Sequence, residues 1–326
     1  MRRREFIALL GATTLPADLA NSQTAGKVYR VGLLGGGPPM TDDSEAGAAF
    51  LRGMRQAGYE LGRNLALERR GAMGRLDRLP ALVQELITAK VDVIVTNGFP
   101  SAVLAKATGY PTVAAAGVGD PVATGLVESL ARPGGNITGI SDVADELSTK
   151  RLALLKELAP GLRLVAMLWN QDDLGMTLRY RASAKVAESL GVRVQALGVR
   201  EPDDFEAAFA AMRSNRPDAI LMVSDSLTTL NRKRVLDFAI EHRLPAIYEF
   251  PFLVRDGGLM SYGAGFPELF ERAAALVARI LKGASPAELP FELPTRYLFA
   301  INLKTAKAIG LDVPVTLIAR ADEVIE

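Results

Sequence analysis

The chain has 326 residues, of which 49% are hydrophobic and 23% are charged, and this length suits two globular domains of ordinary size. Its net charge of +1 argues against nucleic acid as the main partner. The absence of cysteine from the sequence excludes disulfides, thiol catalysis, cysteine–zinc sites and a lipid-modified N-terminal cysteine.

Residues 1–26 are typical of an export signal. Arginines at positions 2–4 give a basic start, and the apolar run at 6–15 is too short to span a bilayer. The start RREFI is similar to a twin-arginine signal, and ANS at 20–22 offers a cleavage site of the small-x-small kind. We therefore expect an exported, periplasmic protein. The alternative interpretation is an N-terminal tail that is never cut.

The first predicted strand, at 28–34, runs into the loop GGGPP. A glycine loop after a first strand is a feature of dinucleotide-binding sites. Here, however, no third glycine follows at the required spacing, and no acidic residue ends the second predicted strand, at 64–70. Gly36 is instead predicted to let the backbone approach a ligand or a facing lobe closely.

Three short apolar runs between residues 91 and 142 predict neighbouring strands: VDVIVT, YPTVAAA and NITGIS. Polar residues follow the first two runs. Asn97 and Ser101 come after one, and Asp120 comes after the other. Because ligands bind beyond the carboxyl ends of the strands in an open parallel sheet, we predict a site near these residues.

The same order of elements returns in the second half of the chain. Predicted strands at 191–197, 218–223 and 244–248 alternate with predicted helices at 183–190, 203–213 and 227–242. Repeated strand–helix units indicate the α/β class, with two similar parallel-sheet lobes that face each other. Candidate connections between the lobes lie at 132–136, 256–258 and 286–294.

The sequence lacks the motifs of common catalytic sites. It has no G-x-S-x-G elbow, no P-loop and no cluster of metal ligands. The single histidine, His242, falls near a predicted helix end, where we expect it to cap or pack. Paired aspartates, such as those at 172–173, fall at predicted helix starts, where capping is the favoured interpretation over acid–base catalysis. We predict no catalysis, no cofactor and no metal.

The remaining polar and aromatic residues suit noncovalent capture of a small polar molecule. The predicted helix starts at 98–101 and 224–227 have free N–H groups that can hold a carboxylate. Aspartates at 120, 142 and 225 could face an ammonium group, or could act only as caps and hinge locks. Aromatic side chains near strand ends could pack on an apolar group, although Trp169 could equally belong to the core. The predicted ligand-binding residues are Gly36, Asn97, Phe99, Ser101, Asp120, Asp142, Asn170, Asp225 and Tyr248.

Several segments carry a family resemblance. They are DVIVTNGFPSA at 92–102, GDPVATGLVESLARPGGNITG at 119–139, GGLMSYG at 257–263, and the last 26 residues, 301–326. Together these segments resemble the ABC-transporter substrate-binding family related to tryptophan/tyrosine-binding proteins, over nearly the whole chain. The resemblance implies a solute receptor of the type I periplasmic-binding-protein fold, in which two doubly wound parallel-sheet lobes are joined by a hinge of several crossings.

The resemblance also implies where each lobe begins and ends and which partners the protein has. We place lobe 1 at 27–140 plus 262–288 and lobe 2 at 141–261 plus 289–326. The expected protein is a monomer that binds a small-molecule ligand, an amino acid or a similar compound, and delivers it to an ABC permease in the inner membrane. Two alternatives stay open: a solute-sensing subunit of a signalling system, and, less favoured, an enzyme on a doubly wound fold.

Overall fold

The structure is a computed structural model and describes residues 27–141 and 144–326. The predicted export signal and Asp142 lie outside the described residues. Two sheets organise the chain, one of five strands and one of seven, and helices cover both. The α/β class and the two parallel-sheet lobes are therefore confirmed.

The first lobe is built on a parallel five-stranded sheet with the order β2-β1-β3-β4-β5. Its strands are β1 (Tyr29–Gly35), β2 (Leu65–Gly71), β3 (Val93–Asn97), β4 (Thr112–Ala116) and β5 (Ile137–Gly139). Its helices are α1 (Glu45–Gln56), α2 (Leu79–Thr88) and α3 (Phe99–Ala107). The central strands are buried on both faces, as their continuous apolar sequences predict.

The second lobe is built on a seven-stranded sheet with the order β12-β11-β10-β9-β8-β6-β7. Its strands are β6 (Leu164–Asn170), β7 (Arg193–Val199), β8 (Ala219–Met222), β9 (Ala246–Tyr248), β10 (Met260–Ala264), β11 (Tyr297–Asn302) and β12 (Glu323–Ile325). All neighbouring pairs are parallel except β10 and β11.

The remaining helices, with one exception, belong to the second lobe. They are α4 (Ala144–Leu158), α5 (Leu174–Ser189), α6 (Asp204–Ser214), α7 (Ser226–Leu230), α8 (Arg232–Glu241), α9 (Pro251–Arg255), α10 (Phe266–Leu281), α11 (Leu303–Ala308) and α12 (Val315–Ile318). The exception is α10, whose buried face packs with α1 in the core of the first lobe. Within the described residues, no helix combines the length and the apolar character that a membrane span needs.

The chain passes between the lobes at three places: after β5, at Gly265 between β10 and α10, and just before β11. The strand pairing moves two predicted boundaries. The boundary at 262 falls inside β10, which pairs with the second sheet, so the crossing lies at Gly265. The boundary at 289 is too early, because Phe291 and Glu292 still donate backbone hydrogen bonds to the first lobe.

Two of the predicted connections are wrong. Residues 132–136 precede β5 inside the first lobe, and residues 256–258 join α9 to β10 inside the second. Glycine and proline mark loops in both places, but a loop residue does not reveal which sheet the next strand joins. The third predicted connection, at 286–294, leads into the crossing before β11.

Candidate functional site

A cavity of about 450 Å³ lies between the two lobes. It is lined by the ends of β1 and β3 from the first lobe and by the segment after β8 from the second. Both sheets thus present the carboxyl ends of their strands to one space, which is where ligands bind in open parallel sheets.

The first-lobe wall is formed by backbone at the start of α3. Gly98 precedes the helix with a φ of 96°, a conformation that favours glycine, and among the described residues no side chain caps the helix there. The Ser101 hydroxyl donates to the carbonyl oxygens of Asn97 (2.9 Å) and Gly98 (2.8 Å), which fixes this turn. The N–H groups in the first turn of a helix lack intrahelical partners, so this end of the cavity favours an anionic group.

The second-lobe wall carries two carboxylates, Asp173 and Asp225. Asp225 Oδ1 accepts a hydrogen bond from the Thr228 backbone N–H (2.8 Å), and its Oδ2 accepts one from Asn170 Nδ2 (2.6 Å). Asp173 Oδ1 accepts from the Met176 N–H at 3.2 Å and so caps α5. Both aspartates are helix caps, and both also face the cavity.

Burial sets the electrostatics of this pair. The pKa of Asp173 rises to about 7, first because the side chain is removed from water and second because the Asp225 charge is nearby. Removal from water also raises the pKa of Asp225, against the opposing effect of its hydrogen bonds. Among the residues that the structure describes, neither carboxylate takes part in an ion pair. This end of the cavity therefore favours a cationic group.

Two residues that line the cavity have a buried hydroxyl group without a hydrogen-bond partner in the described part of the chain. Thr96 Oγ1 comes from the first lobe and Ser224 Oγ from the second, and the residues are 0% and 5% exposed. Most buried polar side-chain atoms in proteins are hydrogen-bonded. A molecule held between the lobes could therefore bond to both hydroxyls.

An aromatic wall completes the cavity. It consists of four phenylalanines, Phe250, Phe252, Phe266 and Phe270, whose neighbouring ring centroids lie 5.1–5.9 Å apart. Two of them come from the second lobe and two from α10, so both lobes contribute to the wall. Such a surface suits an apolar or aromatic group.

The lobes approach each other closely beside the cavity. A Cβ atom on Gly36 would lie 2.8 Å from Ser226 Oγ of the facing lobe, and one on Gly119 would lie 3.2 Å from the Gly175 carbonyl oxygen. At the surface, Arg255 of α9 pairs with Glu45 of α1 (2.7 Å). The structure thus represents a closed cleft, and Gly36 makes the close approach predicted from the sequence.

The structure brings together Gly36, Asn97, Ser101 and Asp225, four of the predicted ligand-binding residues. A fifth, Asn170, is 1% exposed and does not line the cavity, but its amide holds Asp225 in place.

Three predicted residues lie elsewhere. Asp120 is exposed, and its Oδ1 accepts from the N–H groups of Val122 (2.9 Å) and Ala123 (3.0 Å), so it fixes the turn that follows. Phe99 packs in an apolar cluster beneath α3. Tyr248 is 0% exposed, and its ring lies against Gly258, away from the cavity. Placing these three at the cavity surface was wrong, because a position near a strand end does not fix the direction of a side chain.

The predicted ligand-binding residues do not include Asp173, Thr96, Ser224 or most of the aromatic wall, although Ser224 belongs to the predicted helix start at 224–227. Asp173 was interpreted only as a cap. Ser224 had a usable signal, because it directly follows the predicted strand at 218–223 and precedes Asp225. Trp169, by contrast, stacks on Tyr180 in the core of the second lobe, as the core interpretation expected.

Comparisons with known proteins agree with this architecture. The family model described as ABC transporter substrate binding protein matches residues 41–325. A tyrosine-binding protein of Clostridioides difficile (strain R20291) is 25% identical over 274 residues, which are 84% of this chain and 78% of that protein.

Solved structures have the same fold. A conserved domain protein from Vibrio cholerae superposes with a TM-score of 0.85 at 23% identity, over 91% of this chain and 100% of that one. An ABC domain from Streptococcus pneumoniae in complex with L-Trp gives a TM-score of 0.82 at 22% identity, over 92% and 100%.

The pKa of Asp173 predicts how stability depends on pH. The folded state holds a proton between about pH 4 and about pH 7 that the unfolded state has released, so the free energy of unfolding falls as pH rises through this window. The Asp173→Asn substitution keeps the capping oxygen and removes the charge. We expect this variant to be more stable than the unsubstituted, ligand-free protein by roughly 1–4 kcal/mol at pH 8, and equally stable near pH 4.

Chemical denaturation at several pH values measures this difference. Asp172→Asn is the matched control, because the Asp172 side chain is 56% exposed and pairs with Arg200 at the surface. The control should leave the pH profile of stability unchanged. A profile for Asp173→Asn that follows the unsubstituted protein at every pH would contradict the prediction.

Proposed function

The chain belongs to the family of ABC transporter substrate binding proteins, and we propose that it is the receptor of an importer that captures a zwitterionic solute of the amino-acid type between its two lobes. The observation that carries this proposal is the polarity of the cavity. One end favours an anion, the other end favours a cation, and an aromatic wall lies beside them.

An amino acid fits these three features in one orientation. Its carboxylate would accept hydrogen bonds from the first turn of α3, after Gly98. Its ammonium group would lie between Asp173 and Asp225, and its side chain would pack on the phenylalanines. The tyrosine-binding relative and the L-Trp complex support aromatic amino acids as the first ligands to test.

The proposed mechanism is hinge closure without covalent chemistry. In the open state the lobes would separate about the three crossings, and the solute would bind one lobe first. Closure would then bring Gly36 against Ser226 and exclude water from the charged groups, which strengthens their interactions with the ligand. The closed form would dock on the permease and release the solute unchanged.

The family and the N-terminal sequence both support a cellular location for the protein outside the cytoplasm. ABC substrate-binding proteins work outside the cytoplasm. We propose that residues 1–26 direct export to the periplasm, and that this chain captures its solute there.

Calorimetry tests the capture of amino acids. L-tryptophan, L-tyrosine and L-phenylalanine are titrated into the protein beside analogues that lack one charge, tryptamine without the carboxylate and 3-indolepropionate without the ammonium. We expect the zwitterions to bind and each truncated analogue to bind at least about tenfold more weakly, since a hydrogen bond to a charged group contributes about 1.5–3 kcal/mol. Chromatography of the ligand afterwards should recover it unchanged. Conversion to a product would indicate an enzyme instead.

The unpartnered hydroxyls give a second prediction. Thr96→Val and Ser224→Ala each remove a hydroxyl that has no partner within the described protein, so stability should not fall. Binding should weaken about 2- to 10-fold in each variant, which corresponds to about 0.5–1.5 kcal/mol.

Ser261→Ala is the control for these variants. The Ser261 hydroxyl is equally buried and without a partner among the described residues, but it does not line the cavity. Melting and calorimetry should show no loss of affinity in the control. Equal affinity in all three variants would argue against a ligand that contacts both walls.

The contact beside the cleft gives a third prediction. Gly36→Ala places a methyl group 2.8 Å from Ser226 Oγ, so the closed state should be disfavoured and the dissociation constant should rise by about tenfold. Gly37→Ala is the matched control, since its Cβ would lie 3.9 Å from the same atom. Calorimetry measures the dissociation constants. If both variants bind as tightly as the unsubstituted protein, ligand capture does not need this contact.

A further inference from the structure

Asp173 and Asp225 form an acidic pair inside a closed cleft, although two neighbouring carboxylates repel each other when both are ionised. The two side chains come from different segments of the second lobe, the start of α5 and the start of α7. Each is held in place by a hydrogen bond to the backbone of its own helix. The pair is therefore fixed by the fold and cannot relieve the repulsion by moving apart freely.

The charged groups around the pair are engaged with other partners. Arg179 of α5 acts on Asp173 through its charge, but its guanidinium binds Glu249 Oε2 at 2.7 Å. Glu249 also accepts from Arg151 (2.9 Å) and from the Ser224 N–H (3.2 Å).

Two further cations line the cavity, and both are paired. Arg70 binds Glu85 at 2.6 Å, and Arg232 binds Asp256 at 2.6 Å. Within residues 27–141 and 144–326, no cationic side chain forms an ion pair with Asp173 or Asp225.

An independent observation points to a ligand at this place. Ser224, which directly precedes Asp225, is 5% exposed, lines the same cavity and has a hydroxyl with no partner among the described residues. Together with the two carboxylates it offers three acceptor groups. A primary ammonium has three N–H donors, so the chemistry of the pair and the hydroxyl matches a primary ammonium better than a quaternary one.

We propose that the pair of Asp173 and Asp225 carries one proton in the ligand-free cleft, and that the primary ammonium group of the ligand displaces this proton when it binds. The proposal rests on the proposed function, because it requires a ligand that carries an ammonium group. The only covalent bond that changes is the O–H bond of the protonated pair, which breaks. The proton passes to solvent, and the positive charge of the ammonium replaces it.

Because the two carboxylates interact, the pKa that describes the loss of this proton is a property of the pair and not of one residue. Removal from water raises the pKa of both carboxylates, and the hydrogen bonds that Asp225 accepts from Asn170 and Thr228 and Asp173 accepts from the Met176 N–H oppose it. The raised pKa of Asp173, about 7, is consistent with a proton held near neutral pH. Ligand capture is consequently weaker in an acidic medium, because a larger fraction of the protein must lose the proton before the ammonium can bind.

Titration calorimetry with L-tryptophan tests the coupling between capture and proton release. Only the deprotonated pair binds, so the dissociation constant should fall about tenfold from pH 6 to pH 8. At pH 6, the measured heat should depend on the ionisation enthalpy of the buffer with a slope that corresponds to the release of about one proton. N,N,N-trimethyl-L-tryptophan, which keeps the charge and has no N–H donor, should bind at least about tenfold more weakly.

Asp173→Asn should flatten the pH dependence of the dissociation constant and remove the buffer-dependent heat, while Asp172→Asn should keep both. The buffer experiment uses the unsubstituted protein and therefore does not depend on the folding of any variant. If L-tryptophan binds with an affinity that does not change with pH and a heat that does not depend on the buffer, the proposed proton release is overturned and the proposed function stays intact. Failure of L-tryptophan, L-tyrosine and L-phenylalanine to bind at any pH would overturn the proposed function and this inference with it.

Discussion

The site depends on one electrostatic constraint, the confinement of two carboxylates in a closed cleft without a cation bound to either of them in the described structure. Removing a carboxylate from water is costly unless a cation or hydrogen bonds compensate it. The fold supplies part of the compensation through helix caps and the Asn170 amide. A ligand that brings a positive charge supplies the rest, so the groups that destabilise the empty protein are those that favour the occupied one.

The two-lobed architecture creates this constraint. Each parallel sheet ends in loops and helix starts with polar groups, and the crossings at Gly265 and beside β5 and β11 hold the two sheets with these ends facing each other. Glycine at position 36 permits the contact with Ser226, and glycines at 119 and 175 permit a second contact. Because glycine stands on at least one side of each of these two contacts, the cleft can close around a small molecule and exclude water from its charged ends.

Much of the fold and part of the site could be predicted from the sequence. Continuous apolar runs marked the central strands, and two polar residues at or just beyond the ends of these strands, Asn97 and Asp225, do line the cavity. The sequence could not show that Tyr248 is directed into the core, since a three-residue strand gives no clear alternation. Asp173 was missed because capping accounts for an aspartate at a helix start, and the sequence does not show that this cap also lines the cavity.

The aromatic wall could not be predicted from the sequence for a different reason. Phe266 and Phe270 lie on α10, which follows the last strands of the second lobe in sequence but packs in the first lobe. The apolar residues of α10 recur at helical spacing, and the helix has one buried face. The lobe that receives the helix depends on a crossing at Gly265, which no local pattern specifies.

A crystal structure of the protein with its tightest-binding amino acid is the most direct test of the central claim, that the cleft holds a zwitterion in one fixed orientation. We expect the ligand between the lobes, with its ammonium nitrogen at about 2.7–3.2 Å from carboxylate oxygens of Asp173 and Asp225 and its carboxylate at the first turn of α3. A ligand bound in the reverse orientation, or outside the space between the lobes, would contradict it.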